Sequence, residues 1–210
     1  MAASLTTPTS ARIELLVTSG TFNLDGGSWE VDNNVWLVGD DEEVLVVDAA
    51  HDAAAIGAAI AGRRTVAIVC THAHDDHVNA ANALALATGA PILLHPDDEP
   101  LWRMTYPDQR WDRDLADGDV LTVAGVELHV LHTPGHAPGA VCLSVPELGA
   151  VLTGDTLFAG GPGATGRSYS DHPTILASIR DRLLTLPDAT AVHTGHGPTT
   201  TIAAERPALS

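Results

Sequence analysis

The chain has 210 residues, enough for one large domain or two small ones with a substantial buried core. Its 27 acidic residues against 10 basic ones set a formal charge of −17, which repels phosphodiester backbones and anionic bilayers and argues against nucleic acid or membrane partners. With 45% apolar residues it is not a disordered chain, and no apolar run approaches the ~18 residues of a membrane span.

All ten basic residues are arginine, so Schiff-base chemistry on a lysine is excluded. Cys70 and Cys142 lie inside strand-like runs and form no C-x-x-C pair, which reads as two small buried side chains. A cytoplasmic location is expected from that count and from the lack of a leader-like start.

Residues 1–12, rich in Ser, Thr, Ala and Pro, read as a flexible N-terminus, and 13–210 as a single domain. Residues 13–18 predict a short strand and 22–27 a turn, with Trp29 beyond it. Residues 34–39 and 43–48 predict a hairpin, ending at Asp48, where a carboxylate after an apolar strand needs hydrogen-bonding partners. Residues 53–62 form a weak helix with Ile56 and Ile60 on one stripe. The β-branched run 65–70 predicts a buried strand, and 78–87, rich in Ala and Leu, a helix closed by Gly89. A further buried strand at 91–95 completes a βαβαβ rhythm with parallel pairing. From 96 to 118 the periodicity disappears. That segment reads as a helical turn plus an irregular flap, with Trp102, Met104, Tyr106 and Trp111 as satellite core.

A meander follows. Residues 120–123 and 126–132 flank the two-residue turn Ala124-Gly125, and 140–145 pair with 150–153. A glycine-rich loop at 158–170 precedes a helix with Pro173 in its first turn and Ile175, Leu176, Ile179 and Leu183 on one face. Residues 189–193 form the last strand.

Chemistry concentrates between the strand at 65–70 and the following helix. His72, His74, Asp76 and His77 fall within six residues. In an extended segment His72 and His74 project to one side, while Asp76 sits at a helix start that favours a carboxylate. The spacing offers two pairs of ligands to two nearby metal ions. Imidazole and carboxylate donors suit zinc, iron or manganese, and the lack of clustered cysteines argues against a closed structural zinc site. Three more candidates, His136, Asp155 and His196, each follow a strand directly.

Together these stretches, Thr71-His72-Ala73-His74-Asp75-Asp76-His77, Thr133-Pro134-Gly135-His136, Gly154-Asp155 and Gly195-His196-Gly197, resemble the metal motifs of metallo-β-lactamase-fold hydrolases. The resemblance spans about residues 13–198 in the expected order, and Asp48 resembles the family's supporting aspartate. It implies an α/β fold, a four-layer αββα sandwich of two mixed sheets. It also implies that His72, His74 and His136 hold one metal, that Asp76, His77 and His196 hold a second, and that Asp155 bridges them. Two divalent ions, zinc first with iron or manganese as substitutes, are the cofactors it implies.

Within the family, the bridging Asp155 is similar to hydroxyacylglutathione hydrolases (glyoxalase II) and short bacterial relatives. That likeness implies a small-molecule acyl thioester as substrate, with Asp76 orienting the nucleophile. With twelve residues after Pro198, no counterpart of glyoxalase II's helical C-terminal domain is expected, which leaves both glutathione and mycothiol as candidate thiol carriers. Arg167 and Tyr169 are the candidate substrate contacts. His51, His95, His129, His132, His172 and His193 have no place in the ligand scheme and read as structural or supporting. The rival readings are a one-iron persulfide dioxygenase using His72, His136 and Asp155, or a lactonase or esterase of the same fold. The oligomeric state is not legible.

Overall fold

The computed structural model describes residues 10–209, so most of the tail assigned to residues 1–12 lies outside the described residues. Two six-stranded sheets carry the fold. The first runs in the order β1 (Arg12–Leu24), β2 (Gly27–Gly39), β3 (Glu43–Val47), β4 (Arg64–Val69), β5 (Ile92–Leu94) and β6 (Arg113–Asp114). Its first three strands are antiparallel and the rest parallel. Parallel neighbours need crossovers. These are α1 (Ala53–Ile60), then α2 (Asp75–Val78) with α3 (Ala81–Thr88), then α4 (Glu99–Thr105). In the second sheet β7 (Val120–Val123), β8 (Val126–His132), β9 (Val141–Val145) and β10 (Ala150–Gly154) form the expected meander. A small hairpin of β11 (Leu157–Phe158) and β12 (Gly161–Pro162) comes next, then α5 (His172–Ser178), which continues as a π-helical turn. β13 (Ala191–Thr194) lies parallel to β10 and antiparallel to β14 (Thr200–Thr201), and α6 (Ile202–Leu209) follows.

The strand period of two sorts the apolar side chains into layers. Val35, Leu37, Val44, Val46, Ile68 and Cys70 point outward to Ile56, Ile60, Leu84 and Trp102 of the first helical layer. Their alternates Trp36, Val38, Leu45, Val47 and Val69 point inward to Leu128, Val130, Val141, Leu143 and Leu152 of the second sheet. On the far side Cys142, Val151 and Val192 meet Ile175, Ile179 and Leu183 of α5 and its extension, and Ile202 and Leu209 of α6. The result is an αββα sandwich of two mixed sheets. Each such Val, Leu or Ile contributes roughly 1.5–3 kcal/mol when fully buried. Both cysteines are buried and free. Among the described residues, no helix is long and apolar enough to cross a membrane.

Several elements differ from expectation. The short first strand is a 13-residue one, because the turn is only Asp25-Gly26, with φ of 52° and 77°. Two consecutive positive φ values are what a type I′ hairpin turn needs, so Phe22 belongs to the strand. The helix expected at 78–87 is two. After α2 the Ala80 N–H donates to Ala49 O, and the Asn79 side chain accepts from the His51 N–H, which turns the chain before α3 starts. The segment 96–118 is no flap. Trp102 and Trp111 are buried in the core, Trp102 Nε1 donates to Gln109 O, and the Tyr106 hydroxyl donates to Val78 O. Of its four satellite-core candidates, Met104 alone is exposed, at 57%. The strand β14 and helix α6 gave no periodic signal.

Candidate metal centre

All seven expected ligands meet where β4, β10 and β13 and the turn after β8 end. The first group is His72, His74 and His136, with His72 Nε2 and His136 Nε2 each 3.0 Å from His74 Nδ1. Backbone tethers set which nitrogen carries the proton. His136 Nδ1 donates to Ala164 O (2.8 Å), and a carbonyl only accepts. Thr71 Oγ1 donates to Asp48 Oδ2 and therefore accepts from His72 Nδ1. Both Nε2 atoms are thus left with lone pairs, turned toward His74 Nδ1. Burial, reinforced by His136, pushes the His74 pKa down to about 3, and burial with neighbouring histidines lowers that of His72 well below its ordinary value.

A neutral His74 donates from Nδ1 to at most one of those two lone pairs, whereas a cation among the three nitrogens satisfies all of them. Ligands ~2.0–2.1 Å from a tetrahedral ion stand about 3.3 Å apart, close to the spacing found here. The far nitrogen of His74, Nε2, is buried and has no hydrogen-bond partner.

The second group is Asp76, His77 and His196. His77 Nε2 lies 3.2 Å from His196 Nε2, and Asp76 Oδ2 lies 3.3 Å from the latter. Here too the outward nitrogens are held: His77 Nδ1 donates to Asp48 Oδ2 (2.9 Å) and His196 Nδ1 to Asp32 O (2.7 Å). Such outer partners fix the tautomer and ring plane of metal-binding histidines. Asp155 stands between the groups, Oδ2 3.5 Å from both His136 Nε2 and His196 Nε2, and Oδ1 3.4 Å from His77 Nε2. Its Oδ1 is buried and accepts no hydrogen bond.

The electrostatics ask for positive charge at this second group. Burial opposes the imidazolium of His77, yet Asp155, Asp76 and Asp48 outweigh it and raise its pKa well above the usual value. By the same balance His196 is pushed up to about 10. Burial likewise opposes the Asp155 carboxylate, but His77 and His196 hold its pKa well below the ordinary range. A neutral triad beside carboxylates that draw positive charge onto their histidines, with an unbonded carboxylate oxygen between the two groups, fits two divalent cations.

Asp48, at φ of 57°, is buried beside both triads. It accepts from the Thr71 N–H (2.7 Å) as well as from Thr71 Oγ1 and His77. The two sheets are joined beside it by β2: Asn34 Nδ2 donates to Thr194 O and Gly197 O, and Trp36 Nε1 to Thr194 O. These bonds seat the His196 loop on the first sheet.

Above the centre lies a cavity of about 280 Å³. Phe22, Trp29 and Val31 of the β1–β2 hairpin form one wall, Arg167, Ser168 and Ser170 the other, and His74, Asp76, His136, Asp155 and His196 the floor. The Arg167 guanidinium lies 3.8 Å from the Trp29 ring centroid and 5.4 Å from that of Phe22, a cation–π seat. Tyr169, the other candidate contact, does not line this cavity. It is 46% exposed, with φ of 69° at the turn that aims Arg167 inward.

Of the six unassigned histidines, His51 alone reaches the centre, through Asn33. His51 Nε2 bonds Asn33 Oδ1 (2.8 Å), and Asn33 Nδ2 donates to Asp76 Oδ2 (3.1 Å). His95, Asp97 and His132 also lie close together. The rings of His95 and His132 are stacked at 4.1 Å and 9°, so their lone pairs lie in parallel planes and do not converge. Asn33, Asp75, Asp98 and the aromatic pair Phe22 and Trp29 are site residues that sequence reasoning missed. Only the Asp-Gly turn signal at 25–26 could have pointed to the last two.

The geometry agrees with three comparisons. The pattern of the metallo-beta-lactamase superfamily matches residues 29–196. The chain is 32% identical over 187 residues to the probable metallo-hydrolase YqgX of Bacillus subtilis, covering 82% of this chain and 89% of that one. It is 33% identical over 154 residues to the hydroxyacylglutathione hydrolase GloC of Haemophilus influenzae, covering 66% and 72%. Among solved structures, TTHA1623 in a di-iron-bound form superposes with a TM-score of 0.74 at 35% identity, over 84% of this chain and 93% of that one. A sandwich with this ligand set, matched over most of its length, belongs to the metallo-beta-lactamase superfamily.

Proposed function

We propose that the chain is a two-metal hydrolase of the glyoxalase II-like group, acting in the cytoplasm on an acyl thioester of a low-molecular-weight thiol of the glutathione or mycothiol type. The observation that carries this is Asp155, set between two complete triads with an unbonded oxygen. Two divalent ions, zinc first and iron or manganese as substitutes, would supply a water acidic enough to ionise near pH 7 and positive charge for a developing oxyanion. The residues around them supply the rest. Asp76, held by Asn33, orients the attacking group, while Phe22, Trp29 and Val31 offer an apolar wall to the acyl chain. Arg167 presents N–H donors to a carboxylate or amide of the thiol carrier.

Thioester chemistry is favoured because no side chain lining the cavity is left over as a general acid: every His and Asp there belongs to the ligand set. A thiolate leaves with little protonation, an amine does not. Persulfide oxidation on a single iron would leave Asp76, His77 and His196 without a role. The test is to load the enzyme with zinc, iron or manganese, measure metal content, and assay S-lactoyl and S-formyl thioesters of both thiols. Turnover with two ions per chain is expected. No turnover by the loaded enzyme overturns the reading, and oxygen uptake with a persulfide at one iron per chain replaces it.

A further inference from the structure

Asp98 ends a short 3-10 turn running into α4 and is completely buried. Its Oδ2 accepts from the Ala73 N–H (2.8 Å) and its Oδ1 from the Gly139 N–H (2.5 Å). No cation pairs with it among the described residues. Ala73 lies between His72 and His74, and Gly139 closes the turn that carries His136. One carboxylate therefore clamps together the two loops that supply the first triad. The approach is tight: a Cβ on Gly139 would come within 2.8 Å of the Asp98 backbone nitrogen and 2.9 Å of its Cγ.

An unpaired carboxylate is a costly way to fill a buried site. Burial pushes the Asp98 pKa up to about 7 even though the two backbone N–H groups oppose that. What the carboxylate offers is two acceptor oxygens at fixed separation. An amide has one acceptor, and its NH₂ would face the second N–H. The distance across the loops, His136 Nε2 to His74 Nδ1, equals the one within the His72 loop, 3.0 Å in both cases. The second triad has other tethers: Asp48 for His77, Asp32 O and the Asn34 bonds for His196.

We propose that Asp98 is a positioning residue for the His72–His74–His136 triad, setting the affinity of that one metal position and not of its neighbour. This rests on the two-metal reading of the centre. Outer-shell changes of this kind cost about 10–100-fold in metal affinity. The experiment compares wild type, Asp98→Asn, His136→Ala and His196→Ala. Each is loaded with zinc or cobalt(II), dialysed against graded chelator, and followed by elemental analysis and the cobalt spectrum, with melting of the metal-free proteins alongside.

For Asp98→Asn, one ion should leave at chelator concentrations at least tenfold lower than in wild type while the other is held as before. The cobalt bands lost should match those lost in His136→Ala and not those lost in His196→Ala. If the Asn variant does not fold, Asp98→Ser, with room for a water between the two N–H groups, takes its place. Parallel loss of both ions, or a lower melting temperature with unchanged binding, overturns the proposal by showing that Asp98 serves the fold alone. A wild-type chain holding fewer than two ions overturns the two-metal reading itself, which separates the two failures.

Discussion

At Gly195 a side chain is missing because there is no room for one. A Cβ there would collide with Asp155 Oδ1 and lie 2.8 Å from His77 Cε1. Gly195→Ala should therefore push two ligands apart while the fold, whose core is elsewhere, survives. We expect metal content to fall below two per chain and kcat/KM to drop about 100-fold, the upper range for changes in a metal's outer shell, with the far-ultraviolet spectrum retained. On the proposed reading Arg167 serves binding and not chemistry, since it lies against Trp29 and Phe22 with no carboxylate hydrogen-bonded to it among the described residues. Arg167→Ala should raise KM about 10-fold or more, the worth of a charge-assisted hydrogen bond, and change kcat only a few-fold. The convergence of the seven candidate ligands was legible because each follows an apolar strand and four are neighbours in sequence. Asp98 and Asn33 were not, since a buried polar residue that serves a distant loop leaves no local pattern.

The β1–β2 hairpin is the element that turns a metal centre into a pocket. Its tip is tied down on both sides. Asp75, the acidic residue of the ligand stretch that stands outside the two triads, accepts from the Asn23 N–H (2.9 Å) and Nδ2 (2.7 Å), and Asp25 Oδ2 accepts from the Ser168 N–H (3.0 Å). The hairpin thus bridges the ligand loop and the wall that holds Arg167. Asp75→Ala removes one of these ties at a cost of ~1–2 kcal/mol. KM should rise about 10-fold, metal content should stay at two, and cleavage near Gly26 by a protease should quicken. Unchanged KM would mean that the hairpin keeps its place without Asp75. This hairpin was half-read from the sequence. The Asp-Gly turn signal was present, but Phe22 to Gly27 looked like one irregular stretch because Asn23 and Asp25 break the apolar alternation. Segment 96–118 was misread for a related reason: Trp102, Tyr106 and Trp111 pack through long-range contacts to α2 and the first sheet, not through a helical stripe. The strands β7 to β10 were read well, because their contacts are with neighbours in sequence and their turns carry Gly at positive φ.

On the scale of the whole molecule, the centre is a joint between the two sheets. His72, His74, Asp76 and His77 come from the first, His136, Asp155 and His196 from the second. An ion that binds both sets binds only the folded chain, so its free energy of binding adds to stability. At about 1,000 times its dissociation constant one ion contributes about 4 kcal/mol, and for a domain of this size each kcal/mol moves the melting point by roughly 2–4 °C. Chelation should therefore lower Tm by roughly 10 °C or more, and added zinc should restore it. In the metal-free chain the buried carboxylates keep a substitute countercharge, since they raise the pKa of His77 and push that of His196 up to about 10 from an ordinary 6.5. A folded-state histidine pKa above the unfolded one gives stability that is full below about 6.5 and is lost as pH rises through about 10. Chelated protein should accordingly melt at progressively lower temperature between pH 7 and pH 10, while the metal-loaded protein, whose ions exclude those protons, should not follow it. Parallel pH profiles for the two forms would show that the seven side chains do not share their charge with bound cations.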